Sequence, residues 1–112
     1  MSLRNQQSIF TENIGKLIDF AFSIGIELTF GEAMRTEYQQ KEYLRTKKTK
    51  TMHSNHLRRL AVDFNFFIGG ELTYKKEDLQ MLGDYWESLN EYNRAGMNFK
   101  SFVDCPHFEM NI

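Results

Sequence analysis

With 112 residues the chain suits one domain, long enough to bury a core and too short for two. Its 14 basic and 15 acidic residues leave a net charge of -1, which argues against affinity for a phosphate backbone and so against nucleic acid as a partner. One cysteine excludes an internal disulfide, and no apolar run is long enough for a signal peptide or a membrane span, so synthesis in the cytoplasm is expected; the sequence leaves the oligomeric state open, with a monomer as the expectation.

From about Ser8 to Ile24, Ile9, Phe10, Ile14, Leu17, Ile18, Ala21 and Phe22 recur at three- and four-residue spacings, the pattern of one apolar helical face. Gly25 ends it, and Ile26, Leu28 and Phe30 then alternate with Glu27 and Thr29 as a strand does. Thr36 to Lys47 holds good helix formers and no breaker, which predicts a second helix. The basic run Lys47-Lys48-Thr49-Lys50-Thr51 has no apolar anchor and reads as a solvated loop at the rim of whatever site follows.

Leu60 to Phe66 alternates again, with Leu60, Val62, Phe64 and Phe66 on the packing side and Ala61, Asp63 and Asn65 on the other. Ile68-Gly69-Gly70-Glu71-Leu72 supplies a glycine turn, and Tyr74 to Tyr92 returns to helical spacing through Leu79, Leu82, Tyr85, Trp86 and Leu89. No repeat, low-complexity tract or linker interrupts the chain. The expected architecture is α+β, with a small, mostly antiparallel sheet covered by helices and Trp86 and the phenylalanines in its core.

The chemistry lies in two short segments: Ser54-Asn55-His56 running into Ala61-Val62-Asp63, and Asp104-Cys105-Pro106-His107-Phe108-Glu109. They supply two imidazoles and a carboxylate as metal ligands, and a further carboxylate as a base, which is the inventory of a hydrolytic zinc site. Asp63 on the small, polar side of its strand escapes the desolvation cost of the apolar side. Pro106 favours an extended entry into a last strand, on which His107 and Glu109 share a face opposite Phe108 and Met110. Such a strand beside that of Asp63 would bring His107 to the same metal. Asp104, three residues before His107, is placed to take a proton from metal-bound water and return it to a leaving amine. Glu109 is expected to orient a ligand imidazole. Taken singly, each of these residues is an ordinary surface polar group, and their combination carries the reading.

Ser54-x-His56-x6-Asp63 followed by Asp104-x-x-His107-Phe108-Glu109 resembles the metal motif of the VanY-type zinc D-alanyl-D-alanine carboxypeptidases and L-alanyl-D-glutamate endopeptidases, which include phage endolysins. The resemblance spans roughly Glu32 to Glu109 and implies the fold shared by hedgehog and D-Ala-D-Ala peptidases: a small antiparallel sheet flanked by helices, with a single zinc on the sheet face. It implies His56, Asp63 and His107 as zinc ligands and Asp104 as catalytic acid and base. It extends to Arg35, matching an arginine after the first strand that binds substrate or polarises the scissile carbonyl. Gln39 matches a recurrent glutamine one helical turn on, and Ser54 a serine that contacts substrate or fixes the loop. The bland reading of Arg35 is a surface ion-pair partner; a planar cationic fork at a strand end also suits a carboxylate or a developing oxyanion.

The resemblance implies Zn2+ as cofactor and a peptidoglycan stem peptide as substrate, in a phage or prophage lysis module that releases the enzyme to the cell wall. Aspartate at the base position favours the L-alanyl-D-glutamate endopeptidase branch over the D,D-carboxypeptidases. The chain departs from the family at Arg58-Arg59, which add bulk and charge beside His56, and in Ala95-Gly96-Met97-Asn98-Phe99-Lys100-Ser101-Phe102, where Ala95, Met97 and Phe99 replace tryptophan, glycine and tryptophan. Met97 is expected to narrow the substrate groove or shift the backbone. With no wall-binding domain in view, wall affinity is expected from the site or from another protein. Two other classes remain open: a non-catalytic zinc domain that binds wall peptide or a protein, and a metal-free interaction domain with the three ligands apart. His53 is assigned to structure or solvent, and Cys105 to packing.

Overall fold

A computed structural model describes residues 1–33, 35–46 and 54–112. The basic run Lys47 to Thr51 and His53 therefore lie outside the described residues.

Helix α1 (Leu3–Ser23) starts five residues earlier than its apolar periodicity suggests, because the Ser2 hydroxyl accepts the Asn5 N–H and caps a polar first turn. Its buried stripe, Gln6, Phe10, Asn13, Ile14, Leu17 and Ala21, faces the core. Strand β1 (Ile26–Phe30) follows as expected, then helix α2 (Glu37–Arg45), capped by the Thr36 hydroxyl at 3.0 Å from the Gln39 nitrogen. A short 3-10 turn over Asn55–Arg58 leads into β2 (Ala61–Ile68), which forms a hairpin with β3 (Glu71–Thr73). Gly69 and Gly70 both have positive φ, 59° and 82°, as a two-residue hairpin turn of matching twist requires. Helix α3 (Lys76–Leu89) is shorter than its periodicity at both ends, and β4 (Asn93–Ala95), a 3-10 turn over Gly96–Asn98 and β5 (His107–Met110) complete the chain.

All strand pairs are antiparallel, in the order β1-β2-β5-β4, with β3 pairing β2 beyond the end of β5. The last strand thus lies beside the Asp63 strand, with Asp63 opposite His107 and Ala61 opposite Glu109. Helices α1 and α3 cover one sheet face, where Leu17, Leu79, Leu82 and Trp86 join Val62, Phe64, Phe66 and Phe108 in a common core. Each such side chain, fully removed from water, contributes about 1.5–3 kcal/mol of transfer free energy. Cys105 lies in this core, as the packing reading requires.

Met97 does not narrow a groove: it is fully buried in the core. A Cβ on Gly83 of α3 would come within 2.5 Å of the Met97 sulfur, so the helix supplies the missing volume as a glycine opposite the methionine. Among the described residues, no helix is long and apolar enough to cross a membrane.

Candidate metal centre

The face of the sheet opposite α1 and α3 carries the chemistry. Alternation along β5 sends His107 and Glu109 to this face while Phe108 enters the core, and alternation along β2 does the same for Asp63 between Val62 and Phe64. His56 comes from the 3-10 turn, whose N-cap, Ser54, accepts the His56 N–H at 3.2 Å. The turn closes with Arg59 in the left-handed region at φ 57°, and Arg58 docks on α1, its carbonyl accepting from Gln7 at 2.8 Å and its guanidinium reaching Gln6 at 3.4 Å. Arg58 is thereby committed to holding the turn.

His56, Asp63 and His107 converge, each offering a ligand atom within 4.8 Å of the other two. Asp63 Oδ1 stands 3.4 Å from His56 Nε2 and 3.2 Å from His107 Nδ1. Ligands at about 2.0–2.1 Å from a tetrahedral zinc are roughly 3.3 Å apart, so these separations fit such an ion. The donor set, two imidazole nitrogens and one carboxylate oxygen, fits it as well.

The electrostatics follow from the pairing. Burial pushes the Asp63 carboxyl up, but hydrogen bonds from His107 and His56 outweigh it and hold the group well below the usual carboxylate range. Burial pushes the His107 imidazole down, but its bonds to Asp63 and Glu109 win and raise it to about 9. His107 Nε2 is 2.6 Å from Glu109 Oε1. Glu109 is in turn held on Oε2 by Arg94, at 3.0 and 2.6 Å, and by Asn55 at 3.2 Å. Burial raises the Glu109 carboxyl, and His107 and Arg94 overcome that and lower it. A histidine flanked by two carboxylates keeps both protons; Nδ1 is the nitrogen that must release its proton for His107 to serve as a ligand.

Asp104 is fixed through its backbone: its N–H donates to the Gly96 carbonyl at 2.9 Å and its carbonyl accepts from His107 N–H at 3.1 Å. A Cβ on Gly96 would stand 2.0 Å from the Asp104 carbonyl oxygen, so only glycine permits this approach. No described side chain hydrogen-bonds the Asp104 carboxylate. Burial raises its pKa, the nearby His107 lowers it and Asp63 raises it further, for a net upward shift. A carboxyl with raised pKa that no described side chain hydrogen-bonds has the electrostatic profile of a proton shuttle.

Arg35 stands beside this cluster. Its guanidinium pairs with Glu32, donates to Gln40 Oε1 at 2.7 Å and to Ser54 Oγ at 3.2 Å, and lies 4.7 Å over the Tyr43 ring. Gln40, fully buried, accepts from Arg35; the side chain of its neighbour Gln39 leaves the helix about 100° away and is half-buried. Glu32, Gln40, Tyr43, Asn55 and Arg94 were not singled out from sequence. Only the adjacency of Glu32 to Arg35 in the chain hinted at one of them. Phe99, where the family resemblance has tryptophan, keeps an aromatic contact with His107, ring centroids 5.8 Å apart, and lies under Arg94.

No family model matches the chain. It is 31% identical over 99 residues, 86% of its length, to a protein named L-alanyl-D-glutamate peptidase from Listeria phage A118. It spans about a third of that curated relative, 34%. Among solved structures it is similar to the Serratia marcescens L-Ala D-Glu endopeptidase ChiX, with a TM-score of 0.70 at 21% identity, covering 85% of this chain and 75% of that one. The chain thus has the α+β fold of that endopeptidase, with a small antiparallel sheet and a His56-Asp63-His107 group that could hold a metal ion.

Proposed function

We propose that this chain is a zinc-dependent peptidase that cleaves peptidoglycan stem peptides at the L-alanyl-D-glutamate bond, as part of a phage or prophage lysis module. The observation that carries the reading is the convergence of His56, Asp63 and His107, with the Asp104 carboxylate, which no described side chain hydrogen-bonds, within their electrostatic reach. The names of the phage relative and of the structural neighbour support the choice of bond over a D,D-carboxypeptidase.

In this reading His56 Nε2, Asp63 Oδ1 and His107 Nδ1 would hold Zn2+. Zinc supplies Lewis acidity, which makes water a nucleophile near neutral pH. Asp104 receives the proton of the attacking water and delivers it to the leaving amine, a task that its raised pKa suits. Arg35 stabilises the negative charge that develops on the scissile carbonyl oxygen, or grips a substrate carboxylate. Ser54 braces Arg35 and the His56 turn, and Gln39 is left for substrate contact at the edge of α2.

Elemental analysis of the purified protein, with mass spectrometry of stem-peptide digests for wild type and Asp104→Ala, tests this. The expected outcome is near-stoichiometric zinc in both proteins, cleavage between L-alanine and D-glutamate by wild type, and a loss of about 100-fold or more in the variant. Zinc without cleavage of any stem peptide would reassign the chain as a binding domain. Failure to hold zinc after reconstitution would remove the reading altogether.

A further inference from the structure

We propose that Glu32 is a shared positioning residue: one carboxylate oxygen sets both the imidazole of His56 and the guanidinium of Arg35, so that the metal centre and the arginine are coupled through it. The inference rests on the ligand assignment for His56 made above.

Glu32 lies in the bend after β1, and its backbone is already tied to the cluster, its carbonyl accepting the Asp63 N–H at 2.7 Å. Its Oε1 pairs with Arg35 Nε and stands 3.9 Å from His56 Nδ1, while Oε2 accepts from the Tyr43 hydroxyl at 3.0 Å. His56 Nδ1 is buried and has no hydrogen-bond partner. A buried polar group left unmatched is destabilising, and Glu32 places a carboxylate acceptor next to it.

Movement by about 1 Å closes that gap to a hydrogen bond. Histidines that bind metal through one nitrogen donate the other N–H to an acceptor, most often a carboxylate or carbonyl, which fixes the ring and raises its basicity. On the other imidazole Glu109 fills that place at 2.6 Å; on this one Glu32 stands ready but is drawn toward Arg35. The backbone reinforces the link, with Arg35 N–H donating to the His56 carbonyl at 3.2 Å. Because Oε1 faces both groups, a bond formed to His56 loosens Arg35, and removal of Arg35 frees Oε1 for His56.

This arrangement predicts opposite signs in two variants. Zinc affinity is measured by competition with a chromogenic chelator for wild type, Glu32→Gln and Arg35→Ala, with thermal melts of each zinc-free protein and stem-peptide kinetics in parallel. Glu32→Gln, which keeps the shape and the Tyr43 contact, is expected to weaken zinc binding about 10–100-fold and to lower kcat. Arg35→Ala is expected to lose cleavage while binding zinc as tightly as wild type or tighter. Wild-type zinc affinity in a folded Glu32→Gln would overturn the proposal, as would weakened zinc binding in Arg35→Ala, which carries the test where Glu32→Gln does not fold. A wild-type protein that binds no zinc would overturn the ligand assignment itself, an outcome distinct from either.

Discussion

The two imidazoles of the cluster are held in opposite ways. His107 stands on a strand, in register with Asp63 and clamped at its far nitrogen by Glu109, which Arg94 and Asn55 secure. His56 stands on a 3-10 turn, its far nitrogen buried and without a partner, next to a carboxylate engaged by an arginine. The sheet therefore delivers one half of the site with its hydrogen bonds already made, and the loops deliver the other half with one left open. Rigidity on the sheet side gives a fixed reference, and adjustment is concentrated where Arg35 lies.

The sharpest way to break the contrast is to attack the sheet half at its tightest point. Gly96→Ala drives a methyl group into the Asp104 carbonyl and the His107 Cβ, and is expected to cost about 3 kcal/mol or more and to abolish cleavage. Thermal denaturation with stem-peptide digestion measures both, and a variant with wild-type melting would show that the approach of the two segments is softer than described. A smaller effect is expected from Glu109→Gln, which removes charge from the clamp: zinc affinity falls about 10–100-fold, and Arg94 loses its ion pair. If this loss is matched by that of Glu32→Gln, the two halves become equivalent once zinc is bound.

A more gradual effect is the pH dependence of metal-stripped protein. The His107 pKa, raised to about 9 from 6.5, contributes stability that is fully present below about pH 6.5 and is lost as pH rises through 9. The depressed Asp63 and Glu109 carboxyls contribute stability present above their unfolded values near 4 and lost as pH falls. Urea melts across pH are therefore expected to peak between about 5 and 6.5, and Glu109→Gln to flatten the alkaline side. A flat alkaline limb in the wild type would show that the sheet half does not store this interaction.

The contrast also explains what could be read from sequence. Period-two patterning depends on neighbours along one strand, so the bounds of β1, the placement of Asp63 away from Val62 and Phe64, and the shared face of His107 and Glu109 were all legible. Partnerships set by long-range register were not. Arg94 meets Glu109 only because β4 and β5 align them, and Met97 fits only because Gly83 lies opposite on α3. The Arg35–Gln40 bond was not legible either, because no spacing marks which glutamine of α2 a guanidinium outside the helix reaches. The Glu32–Tyr43 bond joins a bend to a helix eleven residues on, and no periodic pattern marks such a pair.

Trp86, the chain's one tryptophan, donates its indole N–H to the carbonyls of Glu109 at 3.0 Å and Arg94 at 3.2 Å. The buried indole thus reads the peptide groups of the very residues that steady His107, from the opposite side of the sheet. Its emission is expected to report on that strand pair, so a fluorescence titration with Zn2+ tests, without a label or a substrate, whether an ion enters the His56-Asp63-His107 group.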